Sequence, residues 1–223
     1  MIQDDISGDD EDENQIEGKS TVDSSVTEGT VTYDILFEAI NPKVKEKLLT
    51  MIINVESQNN FYPGYPLVKR GIYYGSRMIS SQYGSVFNKS HYEKLKKVYS
   101  IWICINPPKY RQCSVNLYSF YEKHLIGNVR EKCSNYDLIT VVMICLGDID
   151  NENCQGLVRM LSVLFSTRIA VQEKSNILLD EFNIKMSTKI QKEVQDMCNY
   201  SDYVEQIGIE KGIEQEKAHI VKI

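Results

Sequence analysis

This sequence predicts a mixed α/β fold, a sheet-bearing core followed by a C-terminal helical tail. Three features predict it. Two apolar, β-branched runs, Val31 to Ile40 and Leu48 to Gln58, lie close together near the front. A continuous apolar run, Leu138 to Leu146, has the length and chemistry of a fully buried strand. From Leu157 onward the apolar residues recur at a helical period. With 223 residues, the chain can bury one good core and carry a small helical appendage.

The elements follow in order. Residues 1–28 read as an acidic, mostly disordered leader, because their carboxylates repel and few apolar residues offset ordering. Residues 29–150 read as the core and residues 151–223 as the helical region. Val31 to Ile40 is a strand ended by Asn41-Pro42, and Leu48 to Gln58 is a second. The short polar connection between them favours antiparallel pairing. Asn59 to Pro66 holds two prolines and a glycine and is a loop. Leu67 to Tyr83 is helical, with Pro66 suited to its first turn and Gly84 as its stop. Lys97 to Ile105, Val115 to Tyr121 and Leu138 to Leu146 are further strands. Helices are expected over Leu157 to Phe165, Ala170 to Leu179 and Met186 to Asn199, with a charged, partner-dependent helix from Asp202 onward.

Composition narrows the function classes. No run of about 18 uncharged apolar residues is present, so no membrane span is expected, and the acidic front is the opposite of a secretory n-region. The six cysteines (Cys104, Cys113, Cys133, Cys145, Cys154, Cys198) are irregularly spaced with no CxxC. They read as small buried hydrophobes in a reducing compartment, with neither zinc nor disulfide favoured, so the cytoplasm is expected. The net charge of −6 averages unlike segments: −8 over residues 1–17, +9 over residues 61–132. That basic segment holds ten of the fourteen tyrosines. Cations mixed with flat aromatics suit a phosphate backbone with bases or sugars exposed nearby, and a solvated tyrosine-rich face suits them equally.

One constellation carries chemistry. Glu56 and Gln58 are two apart on a strand and share a face. Asp34 lies mid-strand in the preceding run, so hairpin-like pairing brings it close to Glu56. Two buried carboxylates repel unless a cation joins them, and with a backbone carbonyl and water they form an oxygen shell for Mg²⁺. Gln58 can orient a water or contact a phosphate, but it can neither act as a base nor add positive charge. By spacing alone the pattern is common, and a capping or lysine-paired Asp34 with Glu56 at a solvated strand end fits it better. His91 and His124 lack partners at ligand spacing, and Trp102 reads as core.

Several blocks together are more specific. Glu28-Gly-Thr-Val-Thr-Tyr-Asp34-Ile, Val55-Glu56-Ser-Gln58, Tyr62-Pro-Gly-Tyr-Pro66-Leu-Val-Lys-Arg70-Gly-Ile-Tyr-Tyr74 and Lys97-Val-Tyr-Ser-Ile-Trp-Ile-Cys-Ile-Asn-Pro107 stand in this order. From about Glu28 to Leu146 the chain resembles the transposase-like, recombination-promoting branch of the PD-(D/E)XK nucleases. The resemblance implies a restriction-endonuclease-like core and Mg²⁺-dependent hydrolysis of DNA phosphodiesters, with Mn²⁺ as a substitute, linked to transposition or recombination. It implies Asp34 and Glu56 as metal ligands, with the Ser57 carbonyl completing the shell. Gln58 occupies the place of the usual catalytic lysine, and Arg70 is expected to lie near the phosphate and compensate for the missing charge. Tyr74 and Arg77 share a helix face with Arg70, and with Lys94, Lys96 and Lys97 they are expected nucleic-acid contacts.

Two departures from the family pattern make a truncated or catalytically decayed nucleic-acid-binding derivative the alternative expectation. An acidic leader replaces the ordered helical region before the Asp strand, with Glu28 as a weak stand-in for its acid. The charged C-terminal helix also stops early. A third reading has the acidic leader occupying the chain's own basic segment. Self-association, if it occurs, is expected through the C-terminal helices.

Overall fold

The computed structural model describes residues 16–25, 29–40 and 50–195. Within the expected leader it places two short strands, β1 (Ile16–Gly18) and β2 (Val22–Ser25). This corrects the reading of residues 1–28 as mostly disordered, at least from Ile16 on; residues 1–15 lie outside the described residues. Charge repulsion argued against order there, but both strands gain partners from later in the chain. β2 pairs antiparallel with β3 (Gly29–Thr32), from Val22 opposite Thr32 to Ser25 opposite Gly29. β1 pairs with β4 (Ile35–Ile40), Ile16 facing Ala39.

The single strand expected from Val31 to Ile40 is therefore two strands in two sheets, broken at Tyr33-Asp34. Val31 and Tyr33 are both buried, while Asp34 is exposed at the break. β4 pairs antiparallel with β5 (Thr50–Asn60), as the short connection suggested, with Ile35 opposite Val55 and Ile40 opposite Thr50. The polypeptide then forms α1 (Leu67–Ser80) and returns as β6 (Lys97–Asn106), parallel to β5. β7 (Ser114–Ser119) and β8 (Ile139–Cys145) complete a six-stranded sheet of order β1-β4-β5-β6-β8-β7. The protein is thus mixed α/β, with parallel and antiparallel pairs in one sheet.

α1 ends three residues earlier than its apolar period suggests. The Ser81 N–H bonds to the Arg77 carbonyl, and Gly84 then takes a left-handed conformation (φ +86°). Two glycines let the helix approach the sheet. A Cβ on Gly71 would stand 2.6 Å from Val141 Cγ1 and 3.0 Å from Trp102 Nε1; one on Gly75 would stand 2.7 Å from Ile139 Cγ2. Those neighbours belong to the packed interior around Trp102, Val98 and Val141 and cannot move cheaply. We expect Gly71→Ala to lower stability by about 1–3 kcal/mol through overpacking, measured as a shift of the urea midpoint at constant slope.

A charge cluster ties β1's neighbourhood to β4 and β6. Glu38 accepts from Lys19 at 2.6 Å and also pairs with Lys96. Burial alone would raise the Glu38 pKa, but the two lysines outweigh it and hold it below the ordinary carboxylate range. A depressed folded pKa stabilises the fold above the unfolded value, and that contribution is lost as pH falls through the folded one. The gap in melting temperature between wild type and Glu38→Gln should therefore be widest near neutrality and close as thermal melts are repeated into acid. A gap independent of pH would refute the assignment.

The chain divides into two compact units: one runs to Asn106 and includes Val115–Ile144, the other comprises Pro107–Ser114 and the residues from Cys145. The second contains α2 (Gly156–Phe165), α3 (Val171–Phe182) and helical backbone over 188–195. Its core is Val163, Leu178, Met186 and Val194, where the sequence periodicity put apolar faces. Lys174 is fully buried, and its ammonium donates to the Leu164 carbonyl at the end of α2. Cys113 and Cys154 of this unit form a disulfide. This corrects the reading of all the cysteines as unbridged, and removes the support those residues gave to a cytoplasmic location. No helix among the described residues is long and apolar enough to cross a membrane. The expected helix from Asp202 lies outside the described residues.

Candidate active site

The site is built on the α1-facing side of the sheet. In the β5–β6 pairing, Ile52 faces Val98, Glu56 faces Trp102 and Gln58 faces Cys104. Side chains alternate along a strand, so these residues share a face with Val98 and Trp102, on which α1 packs. The β4–β5 register, continued one residue past Ile35–Val55, sets Asp34 against Glu56.

At that point side chains take over from the sheet ladder. The Asp34 N–H donates to Glu56 Oε1 at 3.1 Å, and the Ser57 N–H donates to Asp34 Oδ2 at 2.9 Å. Each carboxylate satisfies a main-chain donor on the opposing strand, where backbone pairing has stopped. Their environments differ: Glu56 is 4% exposed, whereas Asp34 is open to solvent. The expectation of two buried carboxylates is corrected to one buried and one exposed, which softens the repulsion between them.

Arg70 approaches from α1. Its guanidinium lies over the rings of Tyr74 (5.0 Å) and Trp102 (5.1 Å), and Trp102 is the register neighbour of Glu56. It donates to the Tyr74 hydroxyl at 2.7 Å and the Tyr65 hydroxyl at 3.2 Å. Burial lowers its pKa, but these phenols outweigh that and raise it. Among the described residues Arg70 forms no ion pair with a carboxylate, so its charge is held in place by neutral groups.

The remaining expected residues separate into two groups. Gln58 Nε2 donates to the Asn60 carbonyl at 2.6 Å, so its amide fixes the start of the following loop. Tyr74 is buried beneath Arg70. Arg77 is corrected from a nucleic-acid contact to a buried anchor: it pairs with Asp23 of β2 at 2.9 Å and also donates to the Tyr73 hydroxyl. Lys96 pairs with Glu38 and Lys97 with Asp137, so neither is an uncommitted cation as expected. Lys94 is exposed on a 3₁₀ turn, Tyr92–Lys94.

Tyr33 was missed in the sequence. Its hydroxyl is buried with no hydrogen-bond partner among the described residues, and its ring meets Tyr74 edge-on at 5.4 Å. Burial first, then Asp23, pushes its pKa well up, against the opposing pull of Arg77. The signal available was its alternation with Val31 on the side opposite Thr32.

The donor chemistry fits a hard divalent cation. Mg²⁺ is bound through one or two carboxylates and keeps several waters, and Asp34 and Glu56, at opposed positions, offer oxygen donors of that kind. No group of three or more His, Cys, Asp or Glu residues suited to a metal occurs among the described residues, so a cation held here would have two carboxylates and otherwise rely on water and main-chain oxygen. Compared with family models, curated proteins and solved structures, the chain matches none.

Proposed function

We propose that the protein is a metal-dependent DNA endonuclease of the PD-(D/E)XK type on a restriction-endonuclease-like core, acting in transposition or recombination. One observation supports this above the others: the register sets Asp34 against buried Glu56, one strand from Trp102, over which Arg70 holds a charge matched by no carboxylate among the described residues. In this reading Asp34, Glu56 and the Ser57 carbonyl would hold Mg²⁺, or Mn²⁺, which supplies phosphate polarisation and an acidified water.

The chain's own groups do the rest. Arg70 binds a non-bridging phosphate oxygen and offsets the charge that grows there, the task of the lysine absent at position 58. Gln58, with its Nε2 committed to Asn60, has Oε1 left to orient a water. Lys94 is the remaining solvent-facing cation of the expected backbone contacts.

A binding protein that no longer cuts is favoured by one feature, the commitment of the Gln58 amide to the loop. Relaxation of supercoiled plasmid in Mg²⁺ or Mn²⁺, abolished by chelation, together with calorimetric metal uptake, supports the enzyme. DNA retention without nicking or metal uptake establishes the binder and overturns the enzyme.

A further inference from the structure

The loop after β5 is shaped for a task that the carboxylate pair and Arg70 do not perform. Residues 61–66 read Phe-Tyr-Pro-Gly-Tyr-Pro. Two prolines fix φ, Gly64 takes φ +99°, and the Asn60 side chain accepts the Tyr62 N–H at 2.9 Å. The loop is thus held rigid while it presents two large aromatics outward: Tyr62 is 62% exposed and Tyr65 44%. Phe61 meets Tyr62 edge-on at 5.1 Å and steadies its ring. Exposed tyrosines on a rigid loop lose little conformational freedom when a flat ligand stacks on them.

The surroundings indicate which flat ligand. The Tyr65 hydroxyl accepts from Arg70, and the same guanidinium stands over Trp102 beside Glu56. A group resting on Tyr65 therefore lies next to a positive charge that no carboxylate among the described residues neutralises. A planar ring joined to an anion is a nucleotide, and a base can lie on a tyrosine face only when it is free of its partner strand. Aromatic platforms beside cations are how single strands are held without sequence readout.

We propose that Tyr62 and Tyr65 form a stacking platform for unpaired nucleobases, directing the site to single-stranded or frayed DNA. This rests on the nucleic-acid reading of the site but not on cutting. Gln58, which donates to the Asn60 carbonyl at the loop's root, is its positioning residue.

The test is fluorescence anisotropy of the full chain with a short labelled single-stranded oligodeoxynucleotide, and with the same oligonucleotide as a blunt duplex, both in EDTA. Tyr62→Ala is expected to weaken single-strand binding roughly 5- to 150-fold, the range of one lost stacking contact. Tyr62→Phe should stay within about twofold of wild type, because the π face remains. Tyr65→Ala should weaken binding as Tyr62→Ala does, and duplex affinity should move little in any variant. Because both rings are solvent-facing, circular dichroism of the variants should match wild type. The proposal is overturned if wild type does not bind the single strand, if both alanine variants bind it as wild type does, or if single-strand and duplex affinities fall together. Tyrosine-dependent binding without plasmid nicking would end the nuclease reading and leave the platform standing. Nicking with tyrosine-independent binding would do the reverse.

Discussion

Asp34→Asn should fold as wild type does and, on the proposed nuclease reading, lose metal-dependent nicking by about 10³-fold or more, because the charge of a metal ligand is worth several kcal/mol to such a reaction. The substitution is chosen for what it keeps. An amide oxygen can still accept the Ser57 N–H that Asp34 Oδ2 accepts at 2.9 Å, so the link between the two strands survives in that variant. What disappears is the negative charge. Asp34→Ala is a poorer probe, because it removes the acceptor of the Ser57 N–H together with the charge. Glu56→Gln tests the second ligand under harsher conditions: the side chain is buried, so a new NH₂ group must find acceptors of its own. The decisive comparison is initial nicking rate in Mn²⁺ beside the thermal melt. An Asp34→Asn protein that nicks at the wild-type rate removes the metal-ligand role.

Reducing the Cys113–Cys154 bridge should lower the melting temperature by roughly 8–16 °C. The two cysteines are 41 residues apart, and cross-linking a loop of that length removes about 4 kcal/mol of entropy from the unfolded chain. The site is built around the bond. Cys113 sits at φ +56°, and a Cβ on Gly147 would fall on both sulfurs, 2.5 Å from that of Cys154. Cys154→Ser should therefore melt near reduced wild type and show no further response to dithiothreitol. Thiol titration of denatured protein supplies the control: of the six cysteines, two fewer should react before reduction than after it. Equal titres, or equal melting temperatures with and without reductant, would contradict the bridge.

Much of the core was legible because local chemistry and tertiary environment agree there. Lys97 to Ile105 and Leu138 to Leu146 are apolar enough to be buried strands in any context, and β6 and β8 occupy them. α1 follows from a helical period over Leu67, Val68, Ile72, Met78 and Ile79, of which Leu67 and Met78 are buried while Ile72 faces solvent. The opposition of Asp34 and Glu56 followed from a short connection implying antiparallel strands.

What escaped depends on partners distant in sequence. Asp23 and Arg77 are 54 residues apart, Glu38 and Lys96 are 58 apart, and Lys97 and Asp137 are 40 apart. A lysine reads as solvated until its carboxylate is placed. β1 and β2 escaped because three- and four-residue strands carry no usable period and owe their order to β4 and β3. The break at Tyr33 escaped because its residues remain β-prone on both sides.

The burial of Arg77 against Asp23 bears on how this protein would fail under mutation. The β2–β3 hairpin ends two residues before Asp34, and α1 grips that hairpin through Arg77 while carrying Arg70 nearer its start. In a genetic selection for inactive alleles, damage would not gather only at the carboxylates. It would trace a lengthwise track along one helix, through Arg70, Gly71, Tyr74, Gly75, Arg77 and Met78, with the solvent-facing Lys69, Ile72, Tyr73 and Ser76 largely spared. Such a striped map would read like a dimer interface to a geneticist, though its origin is one helix packed on the sheet and tied to the hairpin of its own chain.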